Sequence, residues 1–256
     1  MRQLILPSSY EGEGDLTLSG KESRYLVRVL RLSEGDRVAG RTVDGQSQSF
    51  IITKVTKGGC TLTPTDEEIT ERQEALPAYQ GPFPNLVLLQ CLLKGRKEDE
   101  VVRQAAEIGV ATIALVESQH CVATAKERAN QRLERLNTKV REALQQSGSP
   151  VPTNIEPKIL PLSDLPSWWN HRGPLLFFHQ AEKGQVRNLQ EVLAHHRPEG
   201  PVGLLIGPEG GFSDTEYEHL IAAGCIPVLL KTNILRSETA ALYTLSAIQV
   251  LLNERL

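Results

Sequence analysis

The chain has no C-x-x-C pair. Its four cysteines, Cys60, Cys91, Cys121 and Cys225, are scattered along 256 residues. That spacing argues against a disulfide framework or a zinc site, and for reduced thiols in a cytoplasmic protein with no bound metal. The first residues lack the basic, then apolar, then small-residue order of a secretory signal, so export is not expected. No apolar run is long enough to cross a bilayer: the densest, at 86–93, is short and contains Gln90. A membrane partner is not expected. There is no excess of either charge, with 28 Lys and Arg against 31 Asp and Glu for a net charge of −3. Bulk electrostatics therefore do not announce a nucleic-acid binder, and any RNA site must be a local patch. Internal repeats and low-complexity tracts are also absent. What remains is ordinary for a globular chain: 40% hydrophobic and 23% charged residues, enough for one large domain or two modest ones.

Composition shifts near residue 72. Before it, short strands are expected at 38–43, 48–55 and 60–64, separated by Asp44-Gly45 and Gly58-Gly59 turn signals. Val43-Asp44-Gly45-Gln46 has the composition of a tight hairpin. A helix is expected over 18–32, entered through Ser19 or Gly20. Residues 71–84 carry Pro77, Gly81, Pro82 and Pro84 and read as a linker. From 85 onward strands (86–93, 112–117, 174–179, 202–206, 226–230) alternate with helices (98–108, 126–146, 186–195, 214–223, 238–253). That alternation predicts an α/β domain with a mostly parallel sheet covered on both faces. Gly109 and Gly224 stand where helices would stop in a left-handed residue.

Two strand–loop–helix units near the end carry special loops. The first is Gly207-Pro208-Glu209-Gly210-Gly211-Phe212-Ser213, directly after the apolar strand at 202–206. Its glycines permit φ > 0 and leave backbone N–H and C=O groups open to an adenine edge or a carboxylate. Ser213-Asp214-Thr215-Glu216 has the spacing of a capping box. No Gly-Lys-[Ser/Thr] follows, so this is not a phosphate-binding P-loop, nor is it the spaced glycine fingerprint of dinucleotide folds. Alone, the loop reads equally as a tight connection or a ligand loop. The second loop runs through Ile234-Leu235-Arg236-Ser237-Glu238-Thr239 into a helix that Ser237 can cap. Leu242, Leu245, Ile248, Gln249 and Leu252 form a helical stripe, read first as core. Arg236 is either a surface arginine paired with an acid or a fixed cation beside the ligand loop.

Lys21, Arg24, Arg28 and Arg31 repeat at spacings of three, four and three. On a continuous helix they share an arc of about 80°. Leu26, Val29 and Leu30 fall on the opposite side, suited to packing on the small β domain. The stripe is either a solvated face or a contact for RNA phosphates.

Taken together the segments resemble the RsmE family of SPOUT-type methyltransferases. The matching pieces are Arg28-Val29-Leu30-Arg31, Lys94-Gly95-Arg96-Lys97, Glu107-Ile108-Gly109-Val110, His120-Cys121, and the loops at 207–213 and 234–240. The resemblance implies a PUA-like RNA-binding β-barrel domain at 1–72, a linker at 73–84 and a SPOUT α/β domain with a trefoil knot at 85–256. It implies a homodimer that methylates N3 of one uridine in small-subunit (16S) ribosomal RNA, free or in an assembling subunit, using S-adenosylmethionine. Carried over by position, the donor pocket would include His179, Gly207, Glu209, Gly210, Leu230, Leu235, Arg236, Ser237, Thr239 and Ala240. Arg236 would be the catalytic cation, stabilising the uracil anion as N3 loses its proton. His179 and Glu209 are candidates for the base. Lys21, Arg24, Arg28 and Arg31 would bind RNA.

Two other readings stand beside this one. A relative that binds rRNA without methylating it is suggested by Gln145-Gln146-Ser147-Gly148-Ser149 and Lys231-Thr232-Asn233, where the family pattern has other residues. A dehydrogenase or other nucleotide enzyme on an unknotted α/β fold is opposed by the missing dinucleotide fingerprint.

Overall fold

The computed structural model describes residues 3–7, 9–10, 12–42, 45–66, 81–124, 128–179, 187–195 and 200–253. The chain divides into two compact units, Met1–Tyr79 with Leu144–Pro152, and Gln80–Ala143 with Thr153–Leu256. The linker expected at 73–84 lies mostly outside the described residues; 81–85 carry no regular structure.

In the first unit β1 (Leu4–Ile5), β2 (Leu16–Ser19), β3 (Arg37–Arg41), β4 (Ser47–Val55) and β5 (Gly59–Thr65) form one sheet in the order β1-β3-β4-β5-β2. β1 pairs with β3 in parallel and the other pairs are antiparallel. Alternate residues of β2 and β3 are buried, as expected for a sheet with one covered face. Leu4, Leu6, Leu18, Leu26, Phe50, Ile52 and Leu62 make its core. The hairpin expected at 43–46 lies partly outside the described residues, although Thr42 N–H donates to Gln46 O at 2.8 Å across it.

The helix expected over 18–32 is corrected. Leu18 and Ser19 end β2, α1 spans only Gly20–Arg24, and Tyr25–Val29 continue as a wider π turn closed by Leu30 N–H on Tyr25 O at 2.9 Å. Arg31 lies beyond the turn with φ 57°. The shared arc therefore describes Lys21, Arg24 and Arg28 at most. Leu18 and Leu26 are buried, but Val29 is 58% exposed and does not pack as expected. Apolar spacing was misread because a strand, a short helix and a π turn run on without a breaker residue.

Residues 144–152, placed by sequence in the second domain, group with the first unit. Its side chains satisfy the carbonyls there. The Gln3 amide donates to Leu144 O at 3.0 Å and Ser149 O at 3.1 Å, and Arg41 donates to Pro150 O at 2.9 Å. Leu144 stands in the last turn of a helix, and its carbonyl also accepts Gly148 N–H at 3.1 Å.

The second unit follows an α/β plan. Its strands are β6 (Leu86–Cys91), β7 (Thr112–Glu117), β8 (Asn154–Ile155), β9 (Leu160–Pro161), β10 (Leu175–Phe178), β11 (Val202–Ile206) and β12 (Ile226–Val228). The order is β12-β10-β11-β6-β7-β8, with β9 also on β7, and every pairing is parallel. β6 and β11 are buried throughout, as apolar strands covered on both faces should be. The helices are α2 (Lys97–Ile108), α3 (Ala129–Ser147), α4 (Leu165–Trp169), α5 (Leu189–His195), α6 (Asp214–Ala222) and α7 (Ser237–Asn253). Gly109 at φ 92° and Gly224 at φ 79° stop α2 and α6 as their positions predicted. α2 packs on α7, and the Gln249 amide donates to Ile108 O at 2.7 Å. The parallel register brings the carboxyl ends of β6, β10, β11 and β12 to one edge, where open α/β sheets bind ligands. Among the described residues no helix is long and apolar enough to cross a membrane.

Candidate functional site

The loop after β11 is held from three sides. The capping box forms as its spacing predicted: Glu216 N–H donates to Ser213 Oγ at 3.3 Å, and Ser213 N–H to Glu216 Oε2 at 2.9 Å. Glu216 Oε1 also accepts Gln119 N–H at 2.7 Å, tying the segment after β7 to the same helix start. From that segment the His120 Nδ1 lies 3.1 Å from Gly211 O and 3.3 Å from Gly210 O. Carbonyls only accept, so Nδ1 carries the proton. Phe212 folds back into the core, edge-on to Phe177 with ring centroids 6.1 Å apart.

The glycines serve different ends. Only Gly211 takes the left-handed conformation, at φ 68°, and nothing stands within 4 Å of where its Cβ would be. Gly207 and Gly210 do not need φ > 0, contrary to the sequence expectation. A Cβ on Gly210 would meet His120 Cβ at 2.9 Å. Its bareness admits the histidine that braces the loop.

A second set of contacts joins this loop to the start of α7. Ser237 Oγ donates to Gly207 O at 2.5 Å and accepts from the Gln90 amide at 3.0 Å, which also donates to Cys91 O at 3.0 Å. Gln90 and Ser237 are buried. Three elements are thus linked through one hydroxyl. Nearby, the Lys97 ammonium bridges Glu209 at 3.2 Å and Glu238 at 3.4 Å. The hydrogen bond to Glu209 is the largest cause and raises the Lys97 pKa; desolvation opposes it, and Glu238 adds to the rise. Two buried acceptors, Gln90 Oε1 and Glu238 Oε2, have no hydrogen-bond partner among the described residues.

Of the site residues expected from sequence, Gly207, Glu209 and Ser237 are joined by these contacts, and Gly210 by its contact with His120. Leu230 and Leu235 are half-buried along the loop from β12 to α7, and Thr239 and Ala240 lie in the first turn of α7. Arg236 is exposed at the entrance to α7, where its carbonyl accepts Ala240 N–H at 2.8 Å. His179 directly follows β10, half-buried, with its ring 5.0 Å from that of Tyr217. Lys21, Arg24, Arg28 and Arg31 are all exposed on the first unit. Sequence reasoning did not place Gln90, Lys97, His120 or Glu238 in the site, and read Glu238 only as suited to the positive end of the helix dipole. The signal was a lone amide in the apolar run at 86–93; the others stand in or beside segments that carried the family resemblance. Among the described residues no group of three or more His, Cys, Asp or Glu could hold a metal ion.

A family model described as an RNA methyltransferase domain matches residues 80–249. The chain is 33% identical to the ribosomal RNA small subunit methyltransferase E of Aquifex aeolicus, over 91% of this chain and 97% of that one. It is 28% identical to the ribosomal RNA small subunit methyltransferase E 2 of Borreliella burgdorferi over 99% of each. The solved ribosomal RNA small subunit methyltransferase E of Neisseria gonorrhoeae, bound to S-adenosyl methionine, matches with a TM-score of 0.80 at 25% identity over 98% of each chain. A glycine loop braced by a histidine and bolted to the next helix thus stands on an α/β fold shared with these enzymes, and the chain belongs to the RNA methyltransferase domain family and, within it, to the ribosomal RNA small subunit methyltransferase E (RsmE) family.

Proposed function

We propose that the protein methylates N3 of a specific uridine in small-subunit (16S) ribosomal RNA with S-adenosylmethionine as donor. The observation that carries this is the Gln90–Ser237–Gly207 relay, which holds the glycine loop against the start of α7. A ligand cradle must be rigid before it binds, because a floppy one loses affinity to ordering. The residues present fit such a donor. Gly211 leaves open space beside loop backbone, and Glu238 Oε2 is a buried acceptor suited to an ammonium. Gly207, Glu209, Gly210, Leu230, Leu235, Ser237, Thr239, Ala240 and His179 would hold the donor. When bound, it supplies a methyl group already activated on a sulfonium, so the transfer needs no metal.

The chain's own residues do the rest. N3 of uracil is a poor nucleophile until it loses its proton, and the exposed Arg236 guanidinium stabilises the anion that forms. Glu209, engaged by Lys97, and His179, beside the Tyr217 ring, are the candidates for the base. The target base leaves any stack to reach the site. The first unit acts as a PUA-like RNA-binding domain over 1–72, joined through 73–84 to a SPOUT domain with a trefoil knot over 85–256. The five-stranded sheet and the exposed Lys21, Arg24, Arg28 and Arg31 favour that role. A cytoplasmic homodimer is part of the same proposal; Tyr243 and Val250, exposed on one helix, favour a partner on α7.

The decisive experiment is mass-spectrometric mapping of methylated uridines after incubating small-subunit RNA with the protein and donor. A new N3-methyluridine is expected; RNA binding with no methylation would leave only a degenerate binder. Arg236→Ala should slow single-turnover methylation by about 100-fold, the scale for losing one charge-stabilising contact, with donor affinity unchanged. Unchanged turnover would remove Arg236 from the chemistry.

A further inference from the structure

Four loops meet at the carboxyl edge of the second sheet: 92–96 after β6, 118–122 after β7, 207–213 after β11 and 229–236 after β12. Their strand ends are level, with Gln90 opposite Ile206, Cys91 opposite Val116 and Phe178 opposite Val228. Side chains stitch the loops together. His120 Nδ1 lies 3.1 Å from Gly211 O, Lys97 reaches Glu209 at 3.2 Å and Glu238 at 3.4 Å, and Ser237 Oγ donates to Gly207 O.

Two properties of this edge have no use in holding a donor. The first is charge. The four loops carry Lys94, Arg96, Lys231 and Arg236, all exposed, against one acid, Glu209. Glu209 and Glu238 are held by Lys97, and Glu216 by two backbone N–H groups. A chain of net charge −3 therefore concentrates positive charge beside its glycine loop. The second is apolar surface. Ile234 is 79% exposed and Val122 66%, the two highest values for large apolar side chains among the described residues. Both stand on these loops. A turn closed by Thr232 N–H on Leu230 O at 2.8 Å begins the segment 231–234, and half-buried Leu235 ends it. Ile234 is thus held out in solvent between Lys231 and Arg236.

We propose that this edge is a single-stranded RNA surface in which Lys94, Arg96 and Lys231 hold phosphates beside the target uridine, and Ile234 fills the gap that the flipped base leaves in its strand. The surface rests on the function proposed above and adds a grip on the substrate within the second unit, to which every one of these residues belongs.

Single-stranded RNA matches both properties, with phosphates for the cations and base faces for the apolar side chains. A base that turns out of its strand leaves its neighbours unstacked, which costs free energy. Apolar side chains offset such a cost by inserting between bases. Ile234 stands two residues before Arg236, at most about 7 Å along the chain. The filler therefore stays beside the cation assigned to the uracil anion. Val122 offers a second apolar contact to a neighbouring base.

The test uses the full-length protein and a small-subunit RNA fragment carrying the uridine found by mass mapping. Replacing Lys94, Arg96 and Lys231 together by glutamine should lower the slope of log affinity against log salt by about 2, at about 0.7 for each contact with a single strand. Ile234→Ala should leave stability unchanged, because the side chain is largely in solvent. At saturating RNA its single-turnover methylation should fall about tenfold or more, since unstacking is no longer offset. Ile234→Leu should restore the rate. A fragment whose neighbouring bases are removed, so that the target has no stack to leave, should erase the difference between parent and Ile234→Ala. Both variants should bind S-adenosylmethionine as the parent does. Equal salt slopes would overturn the phosphate contacts, and an unchanged rate in Ile234→Ala would overturn the filler. A parent dimer that Ile234→Ala converts to monomer by sedimentation would assign this side chain to a second copy of the chain and overturn it equally. If the parent binds RNA through these cations but methylates no uridine, the proposed function is overturned and the surface stands.

Discussion

Lys97 sits where three charges meet. Without its ammonium, Glu209 and Glu238 would have no shared cation between them. Its raised pKa has a definite sign: the clamp is charged through the neutral range and is lost only as pH climbs through the raised value. Cys121 has the opposite sign. Its folded-state value is about 6 against an ordinary 9.0, so the folded chain holds fewer protons between those values. The contribution of this thiol to stability grows as pH rises through that window and is lost as pH falls through about 6. Cys225, pushed up to about 11 by burial, acts in the opposite direction above the ordinary range. The readout is alkylation. Iodoacetamide labelling of folded protein, resolved by peptide mass, should reach its plateau rate at Cys121 by about pH 7, one unit above the thiol's midpoint. Cys91 and Cys225 should stay unlabelled. A Cys121 rate still climbing past the ordinary thiol range would show an unactivated side chain. None of this was visible in the linear order. The setting of Cys121 comes from the turn after β7, where its sulfur lies 3.4 Å from Ser118 N and 3.3 Å from Ser118 Oγ. Lys97 and Gln90 were hidden too, since their partners lie 112 and 147 positions away.

Local elements were more legible. β7 and β11 match their expected ends because each is an apolar run bounded by turn residues. The start of α6 was legible because a capping box is complete within four residues. The two-residue strands β1, β8 and β9 were not expected, since so short a run carries no periodicity. What sequence spacing could not reveal about α6 is that Glu216 serves two segments at once. That difference can be measured. Ser213→Ala removes one acceptor and should lower stability by about 1 kcal/mol, the usual cost of an N-cap. Glu216→Ala strips the acceptor from both Ser213 N–H and Gln119 N–H; the part-buried Ser213 donor left unpaired costs about 1–3 kcal/mol, and losing the exposed bond to Gln119, whose N–H water can reach, costs about 0.5–1.5 kcal/mol. Urea unfolding should therefore rank Glu216→Ala clearly below Ser213→Ala. Equal losses would mean that the bond to Gln119 contributes nothing and that the loop is held by its cap alone.

For the whole molecule, charge is the feature that composition hides. A net charge of −3 gives RNA no general attraction, so binding must come from where cations are concentrated. The first unit offers Lys21, Arg24 and Arg28 on α1 and its π turn, all exposed, with Arg31 in the next segment. A π turn is rare and often marks a functional segment, because it gives up regular hydrogen bonding to re-aim side chains. Each cation that meets a phosphate releases a counterion, so its contribution appears in the salt dependence rather than in affinity at one salt concentration. Replacing Lys21, Arg24 and Arg28 together by glutamine should lower the slope of log affinity against log salt by about 2 to 3, since each contact contributes about 0.7 to 0.9. Donor binding should be untouched, because every contact described at that site lies in the second unit. A parent and variant with the same slope would assign these cations to solvent and move the search for the RNA surface to Lys94, Arg96 and Arg236, which are exposed beside the glycine loop's own edge of the sheet.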